Sequence, residues 1–150
     1  MVAIRKAVVA VDFSDESAYI ADYARLFAEK FDAELIVVYA APSLNQYVGF
    51  HVPPNTIESF VGEIVTGAEK SMDSFLEKHF SGLRTKGKVV TGFAAEEILE
   101  IADDEKADLI IMGTHGRTGI DRILFGSVAA KIVRGADIPV LTVRPDFADK

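Results

Sequence analysis

The sequence predicts an α/β fold in which a doubly wound, five-stranded parallel sheet is flanked by four helices. Three observations lead there. Short β-branched runs alternate with longer stretches of helical periodicity, which is the pattern of successive βαβ units. The runs AVVAV, LIVVY and LIIM are apolar without a polar alternation, as strands covered on both faces are. A glycine-rich segment follows the fourth run, and ligands of doubly wound sheets bind beyond the carboxyl ends of the strands.

The first strand is predicted over residues 4–12 and ends on Asp12. Ser14 opens the first helix as a favourable N-cap, with Asp15 and Glu16 in the electropositive first turn. Its apolar side runs Ile20, Tyr23, Ala24, Phe27, Phe31. The second strand covers residues 34–40. The stretch PSLNQYVGFHVPP, residues 42–54, has no periodicity, and connections of that length are commonly functional or disordered. Its Tyr47, Phe50 and His51 are candidates either to close over a bound group or to face a partner.

A long second helix is predicted over residues 54–80, with Ile57, Phe60, Val61, Ile64, Ala68, Met72, Phe75 and Leu76 at helical spacing. Gly62 and Gly67 within it each cost about 1 kcal/mol relative to alanine, which implies close packing or local fraying. The third strand is placed at 88–93, and the third helix at 94–105 with Ala95, Ile98, Leu99 and Ala102 inward. The fourth strand is placed at 108–113. The fourth helix starts near Ser127, buries Val128, Ala129 and Ile132, and stops at Gly135, a residue suited to a left-handed C-terminal position. The fifth strand spans 140–144. No repeat or linker divides the chain, so residues 1–150 read as a single domain, long enough to bury a core unaided.

Composition removes several function classes. The formal net charge of −7 disfavours nucleic acid as a partner, because that binding draws on clustered Lys and Arg. There is no cysteine, so disulfides, thiolate metal sites and a Cys nucleophile are excluded. His51, His79 and His115 lack the close spacing of a transition-metal site. Arg5 and Lys6 precede AVVAV, but that run is too short for a signal peptide and Asp12 interrupts it. No run approaches the roughly 20 apolar residues of a membrane span. A cytoplasmic protein without membrane or nucleic-acid partners is the expectation.

The segment GTHGRTGIDRILFGS, residues 113–127, carries the chemistry. Gly113 and Gly116 let backbone amides approach an anion, and Gly126 with Ser127 presents free N–H groups at the start of the fourth helix. Together these make a phosphate cradle. It is not a Walker A loop, which needs a GK[ST] ending, and it is not a GxGxxG dinucleotide fingerprint after the first strand.

The spacing Gly113, two residues, Gly116, nine residues, Gly126, Ser127 is similar to the nucleotide-binding signature G-2x-G-9x-G-[S/T] of the universal stress protein family. The resemblance extends over AVVAVDFSDES, GFAAEEILEIADDEKADLIIMGTHG and GSVAAKIVRGADIPVLTVRP. It implies strand order 3-2-1-4-5, with ATP in the crevice between the first and fourth strands. It also implies a homodimer through the fifth strand, here Val140, Leu141, Thr142 and Val143. An apolar edge strand independently favours cover by a partner.

Carried onto this sequence, the resemblance gives Gly113, Gly116, Gly126 and Ser127, with Val128 next to them, to the phosphates. It gives Asp12 to the ribose or to a phosphate-bound Mg²⁺. Local roles stand beside these: turns for Gly113 and Gly116, a cap for Ser127, and capping of the first helix for Asp12. Arg117 and Arg122 suit phosphate oxygens and suit a solvated surface equally. Val11, Ala40 and Met112 are candidates to line an adenine pocket, although Val11 and Met112 also read as plain core. His115 is a loop residue, and Gly119 falls outside the signature.

The function expected is an ATP-binding regulatory or stress-response module. A slow ATPase using the same site is the alternative, against which stands the lack of a carboxylate or glutamine poised to orient water and of a Walker lysine. A dimeric interaction protein that works without nucleotide is the third reading.

Overall fold

The computed structural model describes residues 1–41, 54–114 and 126–144. The elements in chain order are β1 (Lys6–Ala10), α1 (Asp15–Phe31), β2 (Glu34–Ala41), α2 (Pro54–Phe80), β3 (Thr85–Thr91), α3 (Ala94–Asp104), β4 (Leu109–Gly113), α4 (Ser127–Gly135) and β5 (Val140–Val143). The strands form one parallel sheet in the order β3-β2-β1-β4-β5, the order the resemblance implies.

Alternation of side chains along each strand divides the apolar residues between two layers. Ala7, Val9, Leu35, Val37, Leu109 and Ile111 face α1 and α2. Val8, Ile36, Val38, Ile110 and Met112 face α3 and α4. Cover on both faces holds for β1, β2 and β4, whereas β3 is largely exposed or half-buried. As an edge strand carrying Lys86 and Lys88, it does not need an apolar run.

The expected start of β3 at residue 88 is three residues late, and Gly87 is the reason. A Cβ there would stand 2.5 Å from Cγ of Met72 and 3.1 Å from Cδ1 of Leu76, so this glycine marks close approach of α2 to the strand and not the end of a loop. Gly62 and Gly67 differ, since among the described residues a Cβ at either meets nothing within 4 Å, and close packing against those residues does not account for them.

The inward face of α1 also differs from expectation. Ser17, Ile20, Ala21, Ala24 and Ala28 are buried, while Tyr23 and Phe31 are exposed and Phe27 is half-buried. The small residues let the helix lie close to the sheet, and the aromatics pair along its flank, Tyr19 with Tyr23 and Phe27 with Phe31. On α2, Val61, Ala68, Met72 and Phe75 are buried and Phe60 is exposed; the side chain of Ile57 lies outside the described residues. Ala129 and Ile132 are buried on α4, with Val128 half-buried.

Gly135 does not take the left-handed position expected of it. It is the last residue of α4, and the following Ala136 is extended. A Cβ on Gly135 would stand 3.1 Å from Cδ1 of Leu99, which relates this glycine to packing against α3. The left-handed exits belong to Asp32 after α1, Gly82 after α2 and Lys106 after α3.

The N-terminal ends of the strands are joined by charge. Glu105 accepts a hydrogen bond from Lys88 at 2.9 Å and lies 3.4 Å from Lys6 and 3.8 Å from Lys86. The bond from Lys88 holds its carboxyl below the usual carboxylate range, with burial opposing. A depressed folded value favours the ionised form, so this stabilisation is present above the ordinary carboxylate range and is lost as pH falls through the folded value. Glu105→Gln is expected to cost up to about 1 kcal/mol near neutral pH. The difference in urea midpoint between parent and variant should close in acid; a difference independent of pH would refute the ionic account.

Candidate functional site

Two parallel strands followed by turns to opposite sides of the sheet open a crevice at their carboxyl ends. Here β1 leads to α1 on one face and β4 leads towards α4 on the other. Val8 pairs with Ile110 and Val9 with Ile111, so continuing the register sets Val11 beside Gly113. On the other side Ala10 pairs with Val38, which sets Asp12 beside Ala40. The Val11 N–H donates to Val38 C=O at 2.9 Å, keeping the chain tied to β2 one residue past the strand.

Beyond β4, Thr114 is buried, with 6% of its surface exposed. Its N–H donates to Val143 C=O at 3.1 Å, and its C=O accepts from the Gly126 N–H at 2.7 Å. That second bond brings the two ends of the glycine signature together: Gly113 lies next to Thr114 in the chain, and Gly126 is hydrogen-bonded to Thr114. Gly126 is the N-cap of α4, with φ −70° and ψ 164° and no side-chain cap bond.

Electrostatics distinguish the two helix starts. The first turn of α1 carries Asp15 and Glu16, whereas that of α4 carries no acidic residue. The first N–H groups of any helix have no intrahelical partner, and the dipole adds positive potential there. At α4 that potential is directed to the mouth of the crevice without a carboxylate of its own turn to balance it.

Asp12 closes the opposite side. Its Oδ1 accepts from Ser14 N–H at 3.0 Å, from Ser14 Oγ, and from Ser17 Oγ at 2.9 Å. Ser14 caps α1 by position, but its hydroxyl is spent on Asp12 and makes no bond to the helix amides. Phe13, between them, has φ 63°, an unusual conformation for a bulky residue that tends to mark functional positions. Its ring lies against Tyr39 at 4.9 Å and Phe75 at 5.8 Å between centroids.

The structure thus brings Val11, Asp12, Gly113, Gly126 and Ser127 to one crevice, with Ala40 on the β2 side and Val128 in the first turn of α4. The side chains of Val11 and Met112 are buried in opposite core layers, so what they present at the strand ends is backbone. Gly116, Arg117, His115, Gly119 and Arg122 lie outside the described residues, as do Tyr47, Phe50 and His51. Among the described residues no three His, Asp or Glu side chains group as metal ligands. A Mg²⁺ ion would accordingly need phosphate oxygens beside the Asp12 carboxylate, which suits a cation that keeps few protein ligands.

A second concavity of about 400 Å³ lies between the first turn of α1 and α2, lined by Ser14, Asp15, Lys70, Ser74, Lys78 and His79 among others. Burial, then the nearby Lys78, holds the His79 imidazole below its usual value, with Asp22 opposing. This groove mixes both signs of charge.

Sequence reasoning missed Ser17 and Thr114. Ser17 carries a signal in retrospect, because it shares the helical face of Ile20, Ala21, Ala24 and Ala28, where a polar side chain needs a partner. Thr114 sits inside the signature at one of its variable positions, and nothing in its spacing separates it from its neighbours.

The universal stress protein family model matches residues 3–144. Universal stress protein MJ0531 of Methanocaldococcus jannaschii is 36% identical over 142 residues, covering 93% of this chain and 82% of the relative. The solved structure of hypothetical protein MJ0577, from the same organism, superposes with a TM-score of 0.86 at 26% identity, covering 98% of this chain and all of the other. A universal stress protein solved in complex with cAMP is similar with a TM-score of 0.59 at 27% identity, covering 95% of this chain and 98% of that one. No described helix is long and apolar enough to cross a membrane.

Proposed function

We propose, since this chain belongs to the universal stress protein family, that it is a regulatory or stress-response module binding an adenine nucleotide, ATP with Mg²⁺, in the β1–β4 crevice. The observation that supports the reading is the 2.7 Å bond from Gly126 N–H to Thr114 C=O, which ties the start of α4 to the residue that follows Gly113. A relative with this fold holds cAMP, so an adenine nucleotide is a ligand that the fold can accept.

In this reading the backbone amides of Gly113, Gly116, Gly126, Ser127 and Val128, with the Ser127 hydroxyl, hold phosphate oxygens. Arg117 adds charge to them. Asp12 meets the ribose or the Mg²⁺ ion, and Val11, Ala40 and Met112 bound the base through the strand ends. The Mg²⁺ ion neutralises phosphate charge when bound. The spacing of the signature suits a polyphosphate over a monophosphate, so ATP is expected to bind more tightly than AMP or cAMP.

Dimerisation through β5 belongs to the same reading. β5 is an edge of the sheet, and Val140, Leu141 and Thr142 are half-buried in the single chain, so a second copy pairing there would cover them.

The test is protein purified without added nucleotide, extracted for ligand mass and titrated calorimetrically with ATP, AMP and cAMP. Binding of ATP weakened by about tenfold in Asp12→Ala, as loss of one charge-assisted contact implies, is the expected result. No binding of any of the three would refute the reading.

A further inference from the structure

We infer that Ser17 is the residue that positions Asp12 for the nucleotide site, an inference that rests on the crevice being that site. Ser17 is 1% exposed and lies on the inward face of α1 among alanines and Ile20. A buried hydroxyl at an apolar position is costly unless its hydrogen-bonding capacity is used. Here both directions of the hydroxyl are used on one residue. Ser17 Oγ accepts from the Asp12 N–H at 3.0 Å and donates to Asp12 Oδ1 at 2.9 Å.

A two-point contact of this kind fixes more than a single bond does. The bond from the amide holds the backbone where β1 gives way to the turn, and the bond to Oδ1 holds the side-chain torsion. The carboxylate is thereby kept in one orientation relative to the strand end. Ser14 also reaches Oδ1, but as the N-cap it precedes the helix. Ser17 is anchored in the first turn of α1 by its own N–H, which donates to Ser14 C=O at 3.0 Å, and by burial against the sheet. It transmits the rigidity of the helix to the site without touching ligand, and so is a positioning residue.

The chemistry of the motif DFSDES follows. Asp12 is the group that would meet ribose or Mg²⁺, and Ser17, five residues later, is the group that aims it. Replacing Ser17 with alanine removes both of these bonds, the one to the Asp12 amide and the one to its carboxylate.

A double-mutant cycle tests this, reading ATP affinity by calorimetry for the parent, Ser17→Ala, Asp12→Ala and the double variant, with Ser17→Thr as the hydroxyl-retaining control. The expected result is a Kd raised about tenfold in Ser17→Ala, a smaller change in Ser17→Thr, and no further loss from Ser17→Ala once Asp12 is alanine. Exchange of the Asp12 amide hydrogen should also quicken in Ser17→Ala without nucleotide. A folded Ser17→Ala protein with parental affinity would overturn the inference, as would equal losses from Ser17→Ala in both Asp12 and Ala backgrounds. If Ser17→Ala does not fold, the same cycle run with Ser17→Cys, close in shape but a poor donor, decides by the same criteria. Failure of the unmutated protein to bind any nucleotide overturns the binding reading itself, and that outcome is distinct because it appears before any substitution.

Discussion

Replacing Gly126 with valine is expected to weaken ATP binding severely while leaving the fold standing. The backbone at Gly126 has φ −70° and ψ 164°, which any residue adopts, so conformation alone does not call for glycine. Space among the described residues does not call for it either. Among the described residues an added Cβ meets only the Thr114 carbonyl oxygen, at 3.4 Å. Valine is a poorer N-cap than glycine, which costs on the order of 1 kcal/mol and lowers Tm by only a few degrees in a domain of this size. At the ligand the same side chain projects beside the amides that would hold phosphate. Loss of close approach there should weaken ATP by roughly 100-fold or more, about 2.7 kcal/mol. Calorimetry alongside a thermal melt separates the two effects. An unchanged Kd with an unchanged melt would reduce Gly126 to a helix cap.

Gly87 supplies the contrast that makes this substitution informative. Its Cβ would collide with Met72, so the fold requires that glycine for packing alone. Sequence gives no means of telling the two kinds apart. The period of the apolar residues carried the existence and order of the elements, and the bounds of α2 and α4, as well as the separation of β1, β2 and β4 from the helices. It did not carry the start of β3, where a glycine admitted a helix side chain and so looked like a break.

The inward face of α1 was hidden for a related reason. Two stripes at helical spacing compete on that helix, one aromatic through Tyr23 and Phe31 and one small through Ser17, Ala21 and Ala28. Larger side chains bury more area, which favours the aromatic stripe on sequence alone. Close contact between helix and sheet favours the small one, and that contact is a tertiary property. The candidate site was legible where it depends on spacing, in Gly113, Gly126, Ser127 and Asp12. It was not legible where it depends on hydrogen bonds, in Ser17 and Thr114: Thr114 fills a variable position of the signature, and the trace of Ser17 is a polar side chain on the buried face of α1.

Phe80→Ala is expected to be the most destabilising of these changes and to leave the site intact. Phe80 is 1% exposed and heads the fully buried side chains by volume. Its ring meets Phe75 edge-on at 5.8 Å between centroids, and its C=O accepts from the Leu83 N–H at 3.0 Å as the chain turns into β3. Arg25 of α1 fixes the same turn by donating to His79 C=O at 2.9 Å. Truncation therefore leaves a cavity framed by a turn that is held from two sides and cannot easily collapse. Losses of this type run to about 3–5 kcal/mol, a large part of the roughly 5–15 kcal/mol that holds a domain together, and should lower Tm by roughly 10 °C. Phe80 precedes β3, so it lies at the amino ends of the parallel strands, and the crevice lies at their carboxyl ends. ATP at a fixed concentration should thus add the same increment of stability to the variant as to the parent, since that increment depends only on the ratio of ligand to Kd. Denaturant titrations of both proteins with and without ATP give the comparison. A smaller increment in Phe80→Ala would mean that the far end of α2 is coupled to the crevice, and the layer of Phe13, Tyr39 and Phe75 would be the path to examine.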